Sequence, residues 1–124
     1  MLEDYSSQDK LGGCNLYAQV IQGGSKPEAR DEMNRAVSEA MIPALQAQPG
    51  FRGTLNLEDP VTGHGMMINL WETEDQARRP PTGEAVNEAL TRILSISTGE
   101  REPIRVWHVN TVTVEPRAVL RKAD

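Results

Sequence analysis

SKPEARDEMNRAVSEAMIPALQAQPGFRG, Ser25 to Gly53, reads as one long amphipathic helix that stops at Pro49-Gly50 and turns at Phe51 into a strand. Ala29, Met33, Ala36, Val37, Ala40, Met41, Ala44 and Leu45 recur at the i, i+4, i+7, i+8 spacing of one helix face. Arg30, Glu32, Asn34, Arg35, Glu39 and Gln46 fall on the opposite face, which suits water. Ser25 and Glu28 stand at capping-box spacing, with Pro27 in the first turn, where its missing N–H costs nothing. Pro43 comes well past that turn. It removes the bond to the Glu39 carbonyl and predicts a kink or loosened last turns.

Upstream of this stretch, residues 1–14 are polar and read as a flexible arm, and Asn15 to Gln22 is a first strand. Gly23-Gly24 is then the turn into the helix. Downstream, Phe51 to Glu58 alternates apolar and polar residues as a half-buried strand does. Asp59 to Gly65 is a hairpin loop by its turn residues, and Met66 to Glu72 is a third strand. Thr73 and Gln76 are spaced to cap a second helix, which Pro80-Pro81 must break. Thr82 can cap a fresh start, Val86, Ala89, Leu90, Ile93 and Ser97 mark one face, and Gly99 suits its stop. After a charged loop at Glu100 to Glu102, the β-branched run Pro103 to Glu115 reads as a long final strand. Residues 116–124 form a basic tail.

The order strand, helix, strand, strand, helix, strand is that of an α+β, ferredoxin-like βαββαβ domain over residues 15–115. Its antiparallel sheet carries both helices on one face. Such a sheet should show polar residues on its uncovered face, yet both parities are apolar. Met66, Ile68 and Leu70 point one way, Met67 and Trp71 the other; Ile104, Val106, Val112 and Val114 oppose Trp107 and Val109. A second copy packed sheet on sheet is the simplest cover, so the pattern predicts a homodimer. The competing cover is the chain's own tails.

With 124 residues, the chain makes one domain with a modest core. A net charge of −5 without a basic cluster argues against nucleic acid and against an anionic membrane surface. No apolar run approaches a membrane span, and the N-terminus lacks a secretory pattern. A single cysteine, Cys14, excludes an internal disulfide, and the cytoplasm is the expected location.

At IPALQAQPGF (Ile42 to Phe51) and INLWETEDQA (Ile68 to Ala77) the chain resembles the antibiotic biosynthesis monooxygenase family. The shared features are a helix ending in Pro-Ala-Leu, a Pro-Gly-Phe entry to the second strand, and a Trp-Glu closing the third strand before an acidic helix start. The resemblance covers about Leu16 to Val114 and implies a dimeric α+β barrel. It also implies, for some members, a cofactor-independent monooxygenase acting with O₂ on a phenol, anthrone or quinol. In such enzymes deprotonation makes the substrate itself the electron donor. The protein supplies an apolar pocket, a few polar groups and shelter from water.

Asn69 and Trp71 share one face of the third strand. Oxygenases similar to this chain hold substrate with such a pair, so Asn69 would bond the substrate oxygen and Trp71 would wall the pocket. The competing reading makes Trp71 core or interface packing and gives Asn69 a backbone partner. His108, on the parity of Val106 and Asn110, is a candidate base or a buried structural imidazole. Tyr17 is a candidate donor to a ligand oxygen, and Met33, Val37 and Met41 are candidate lining residues able to adapt to an irregular ligand. Arg79, beside Arg78, is a candidate clamp for an anionic group or an ordinary surface charge. Haem degradation by the route of similar enzymes needs a second-helix histidine, which Thr73 to Ser97 lacks, and a first-strand asparagine deeper than Asn15. Cys14, His64 and His108 show no metal-ligand spacing, and no G-x-S-x-G is present. No cofactor is expected. The rival to an oxygenase is a non-catalytic homodimer of the same fold that binds a small apolar or aromatic ligand, or serves a structural role.

Overall fold

The computed structural model describes residues 15–115. Contacts divide the chain into two units. Leu16–His108 carries the fold, and among the described residues the other unit takes in Asn15 and Val109 to Glu115. The expected arm and tail, and Cys14, lie outside the described residues. From Asn110 to Glu115 the second unit has no regular secondary structure.

In chain order the elements are β1 (Leu16–Ser25), a 3₁₀ turn (Pro27–Ala29), α1 (Arg30–Ala36), a π-helical turn (Val37–Met41), α2 (Ile42–Gln46), β2 (Phe51–Glu58), β3 (His64–Trp71), α3 (Glu74–Arg78), α4 (Glu84–Ile96), β4 (Ser97–Arg101) and β5 (Arg105–Val109). The sheet runs β2-β3-β1-β4, with β5 also paired to β1. The β1–β3 and β2–β3 pairings are antiparallel. This is the ferredoxin-like α+β architecture.

The helix of Ser25 to Gly53 forms, with changes at its start and middle. Ser25 is the last residue of β1, opposite Ser97, and caps nothing; the first N-cap is Lys26, without a side-chain bond. Gly23 and Gly24 are strand residues, not a turn, and face Gly65 and His64. The irregularity between Gly23 and Ser25 lets β4 cross close by: a Cβ on Gly24 would lie 3.1 Å from Thr98 Oγ1. Pro43 does not break the helix. The turn before it widens, and the Ile42 N–H reaches back five residues to the Val37 carbonyl, so the ladder has changed offset by the residue that cannot donate.

Other boundaries move as well: the third strand is His64–Trp71, not Met66 to Glu72, and Glu100 and Arg101 lie in β4, not in a loop. Gly83, not Thr82, is the N-cap of α4, with no side-chain bond. Helix α4 ends at Ile96, so Ser97 and Gly99 belong to a short edge strand instead of a helix face and its stop. The last strand is Arg105–Val109, shorter than Pro103 to Glu115; it pairs with β1, and residues 110–115 have no regular secondary structure. The capping box at Thr73 forms in both directions, Thr73 Oγ1 accepting from the Gln76 N–H and Gln76 Oε1 from the Thr73 N–H, each at 3.1 Å.

Met41, Leu45, Trp71, Ala77 and Ala89 form the core, with Tyr17, Phe51, Met67, Leu90, Ile93 and Val106 packed around them. Trp71 therefore faces the helices. Its ring meets Phe51 edge-on at 5.6 Å. Arg92 ties α4 to the first helix through Glu32 at 3.3 Å and Glu39 at 3.7 Å. The Glu32 carboxyl is held below the usual range, first by its hydrogen bond to Arg35 and then by Arg92. The other sheet face is apolar and open: Leu55 opposes Ile68, which opposes Val20, and Leu55 is 54% exposed. Alternation from Val106 puts Trp107, 55% exposed, on that face too. No helix among the described residues is long and apolar enough to cross a membrane.

Candidate functional site

Sheet and helices do not close completely on each other. A cavity of about 180 Å³ remains between them. Met33, Val37 and Met41 line it from the first helix, Val86, Leu90 and Ile93 from α4, and Ile21, Met67 and Asn69 from the sheet. Val37 and Met41 are the two ends of the π turn, so the change of offset that accommodates Pro43 also shapes this wall. At one end the lining turns polar, with Arg30, Asn34, Asn56 and Glu58. There Arg30 Nε lies 3.1 Å from Glu58 Oε2 without the alignment of a hydrogen bond, and Nη1 donates to the Pro60 carbonyl at 3.4 Å. Arg30 thus bolts the start of the first helix to the β2–β3 hairpin.

Asn69, 1% exposed, is the most deeply buried polar residue of the cavity wall, which also includes Ser25. Its orientation follows from its neighbours. Tyr17, Gln19 and Ile21 of β1 stand opposite Trp71, Asn69 and Met67 of β3. The Trp71 indole can only donate, and a main-chain carbonyl can only accept. Gln19 lies between both kinds of group. Its Nε2 donates to the Ala77 carbonyl at 2.9 Å and the Arg79 carbonyl at 3.2 Å; its Oε1 accepts from Trp71 Nε1 at 3.2 Å and Asn69 Nδ2 at 3.1 Å. The amide cannot be turned round without setting donor against donor and acceptor against acceptor. Asn69 must therefore present its nitrogen to Gln19, and its Oδ1 accepts from Thr54 Oγ1 at 2.8 Å. These two bonds use one N–H and one lone pair of the Asn69 amide.

The expected site residues separate into three groups. Asn69, Met33, Val37 and Met41 meet at the cavity. Trp71 does not line it. Its indole is bound to Gln19, and its ring borders a second cavity of about 380 Å³ with Gln48, Pro49, Gln76, Pro80, Pro81, Thr82 and Arg79. Arg79 stands at that second cavity, largely exposed, 3.9 Å from Asp75. His108 is exposed and lines neither cavity; its ring meets Tyr17 edge-on at 5.2 Å. Tyr17 packs on the core and lines neither cavity. β5 pairs with β1, and the exposed His108 ring lies against Tyr17 instead of at either cavity. The competing reading of Asn69 is corrected as well: its partners are side chains, not backbone.

Gln19, fully buried, went unnoticed in the sequence. Its signal was a long polar side chain at the inward parity of β1, between Tyr17 and Ile21. A buried amide at such a position must be paired, and the register supplies Asn69 as its neighbour. No group of three or more metal-ligating side chains occurs among the described residues.

No family model matches the chain, and no curated protein does. Solved structures do. SnoaB, a cofactor-independent oxygenase from Streptomyces nogalater, superposes with a TM-score of 0.65 at 17% identity, covering 82% of this chain and 100% of that one. A protein from Nitrosomonas europaea provisionally named antibiotic biosynthesis monooxygenase gives 0.65 at 10% identity, over 80% of this chain and 93% of that one. Another of that provisional name, from Bordetella bronchiseptica, gives 0.62 at 16% identity, over 81% and 100%. The chain has the fold of the antibiotic biosynthesis monooxygenases.

Proposed function

We propose that the protein is a cytoplasmic homodimer that binds a small aromatic ligand in the sheet–helix cavity and oxidises it with O₂ without a cofactor. The carrying observation is the buried Asn69 amide, set by Gln19 and Thr54 in a mostly apolar cavity whose polar groups include Arg30, Asn34, Asn56 and Glu58. An amide N–H fixed in a dry site stabilises a phenolate or enolate oxygen far better than it would in water. Such an anion is the electron-rich species that reacts with O₂. For an anthrone, C–H deprotonation and O₂ addition give a hydroperoxide at that carbon. Loss of the second hydrogen with O–O cleavage then leaves a carbonyl and water. Met33, Val37 and Met41 would adapt to the ring system. The open sheet face around Leu55, Ile68 and Trp107 would receive the second copy.

A second reading, a ligand-binding dimer without catalysis, draws on one feature: the buried polar group is an amide, which cannot take the substrate proton. An oxygenase of this design therefore needs a substrate acidic enough to ionise once its oxygen is held. Oxygen uptake by metal-free protein with anthrones, naphthols and hydroquinones separates the readings, with Asn69→Ala run alongside. Uptake above the uncatalysed rate that falls in Asn69→Ala supports the oxygenase. Saturable binding without uptake, weakened by the same substitution, supports the binding protein. Neither uptake nor binding overturns both.

A further inference from the structure

Between α3 and α4 the chain runs through Arg79, Pro80, Pro81 and Thr82 to Gly83 with no regular secondary structure. Pro81 lines both cavities, so this strap is the partition between them. Two side-chain amides hold it down. Gln48 Nε2 donates to the Thr82 carbonyl at 3.0 Å from the outside, and Gln19 Nε2 donates to the Arg79 carbonyl at 3.2 Å from the core. Gly83, at φ +113°, has a backbone conformation that residues with a Cβ rarely adopt. It joins the strap to the rigid start of α4. The prolines keep the strap from folding into either helix.

We infer that Gln19 is a positioning residue that couples this strap to Asn69, so that the two cavities and the ligand-facing amide switch together. This builds on the reading of Asn69 as the ligand-binding group. The same Gln19 amide that reaches the strap with its nitrogen holds Asn69 and Trp71 with its oxygen. With the strap seated, all four bonds form and Asn69 is locked with its nitrogen toward Gln19. When the strap lifts about Gly83, Gln19 keeps the Ala77 carbonyl but loses that of Arg79, and the amide that fixes Asn69 is held by three bonds instead of four. Removal of Pro81 from the partition at the same time joins the second cavity to the first. Ligand would then enter past Trp71 while Asn69 is held less firmly, and reseating the strap would restore the fourth bond and close the route. Gln19 touches no ligand in this scheme.

The test uses the full chain with Trp107→Phe, which leaves Trp71 as its one indole. Gln48→Ala removes the outer tie and leaves Gln19 in place. Loss of one net hydrogen bond raises the open population about fivefold, so acrylamide quenching of Trp71 fluorescence rises in proportion. In the same variant the ¹⁵N side-chain amide signal of Asn69 shifts or broadens, and association of 1-naphthol quickens. Adding Gln19→Met keeps the quenching increase but removes the Asn69 response to Gln48→Ala. Should that double variant not fold, Gln48→Ala decides by itself. Unchanged quenching means that the strap is no gate, and higher quenching with an unmoved Asn69 signal means that Gln19 transmits nothing; either result overturns the proposal. If 1-naphthol neither binds nor reacts while Trp71 and Asn69 respond together, the ligand reading fails and the coupling stands.

Discussion

Replacing Gln19 by glutamate keeps the shape of the buried network and changes the one property it depends on. The wild-type amide donates to two carbonyl oxygens and accepts from two N–H groups, at 0% exposure. An ionised carboxylate in its place would set negative oxygen against the Ala77 and Arg79 carbonyls. The neutral acid can donate its O–H to Ala77 and accept from Asn69 and Trp71 with the other oxygen. The folded state of Gln19→Glu should therefore hold its proton, and the new acid's folded pKa lies above that of the unfolded chain, which is about 4.3. Below that value both states are protonated, and the variant keeps its full stability. Above it the folded state binds a proton that the unfolded state has released. Stability then falls by about 1.4 kcal/mol per pH unit until the folded acid ionises. Three pH units amount to about 4 kcal/mol, a large share of the 5–15 kcal/mol typical of a domain, roughly. Urea unfolding in steps of about half a pH unit from about pH 4.5 to about pH 7.5, with the wild-type curve subtracted at each pH, measures the slope. A difference that stays flat, or that grows toward acid, would refute the polarity assigned to Gln19 and with it the orientation of Asn69.

Trp71→Phe should keep the edge contact with Phe51 but lose the bond to Gln19, whose oxygen retains Asn69; urea unfolding should show a loss of about 1–2 kcal/mol. Leu55→Glu, placed on the open sheet face, should shift the protein to monomer in sedimentation velocity while its circular dichroism is unchanged; a dimer unaffected by this charge would move the interface elsewhere. The Asp59 carboxyl is held below its ordinary pKa first by the Val61 N–H, at 2.8 Å, and then by the Thr62 N–H. Its stabilising effect is present above the unfolded pKa and is lost as pH falls through the lower folded one. Asp59→Asn should therefore flatten the acid limb of the stability curve, with little change in the pH dependence near neutrality.

Much of the fold was legible because it rests on local periodicity. The apolar spacing through Leu45 required a helix, the alternation in Phe51–Glu58 required a strand, and Pro80-Pro81 could not lie inside a helix. The mistaken boundaries fall where local preference competes with long-range pairing. Gly23-Gly24 is good turn chemistry, yet the partners across the sheet draw it into β1. Ser97 fits the face of α4, yet pairing with Ser25 makes it a strand residue. Pro43 is a helix breaker by its own chemistry, and a single π turn accommodates it.

For the site, the chain's order of residues determined that Asn69 and Trp71 share a strand face and that Met33, Val37 and Met41 share a helix face. Alternation and helical periodicity follow from bond geometry within one element. Only the tertiary structure decided which of these residues meet. Register across two strands set Gln19 against Asn69, bound Trp71 to the same amide oxygen, and left His108 against Tyr17. Hydrogen-bond polarity is a property of the assembled neighbours, residues up to 60 positions apart here. No periodicity within a single strand carries it.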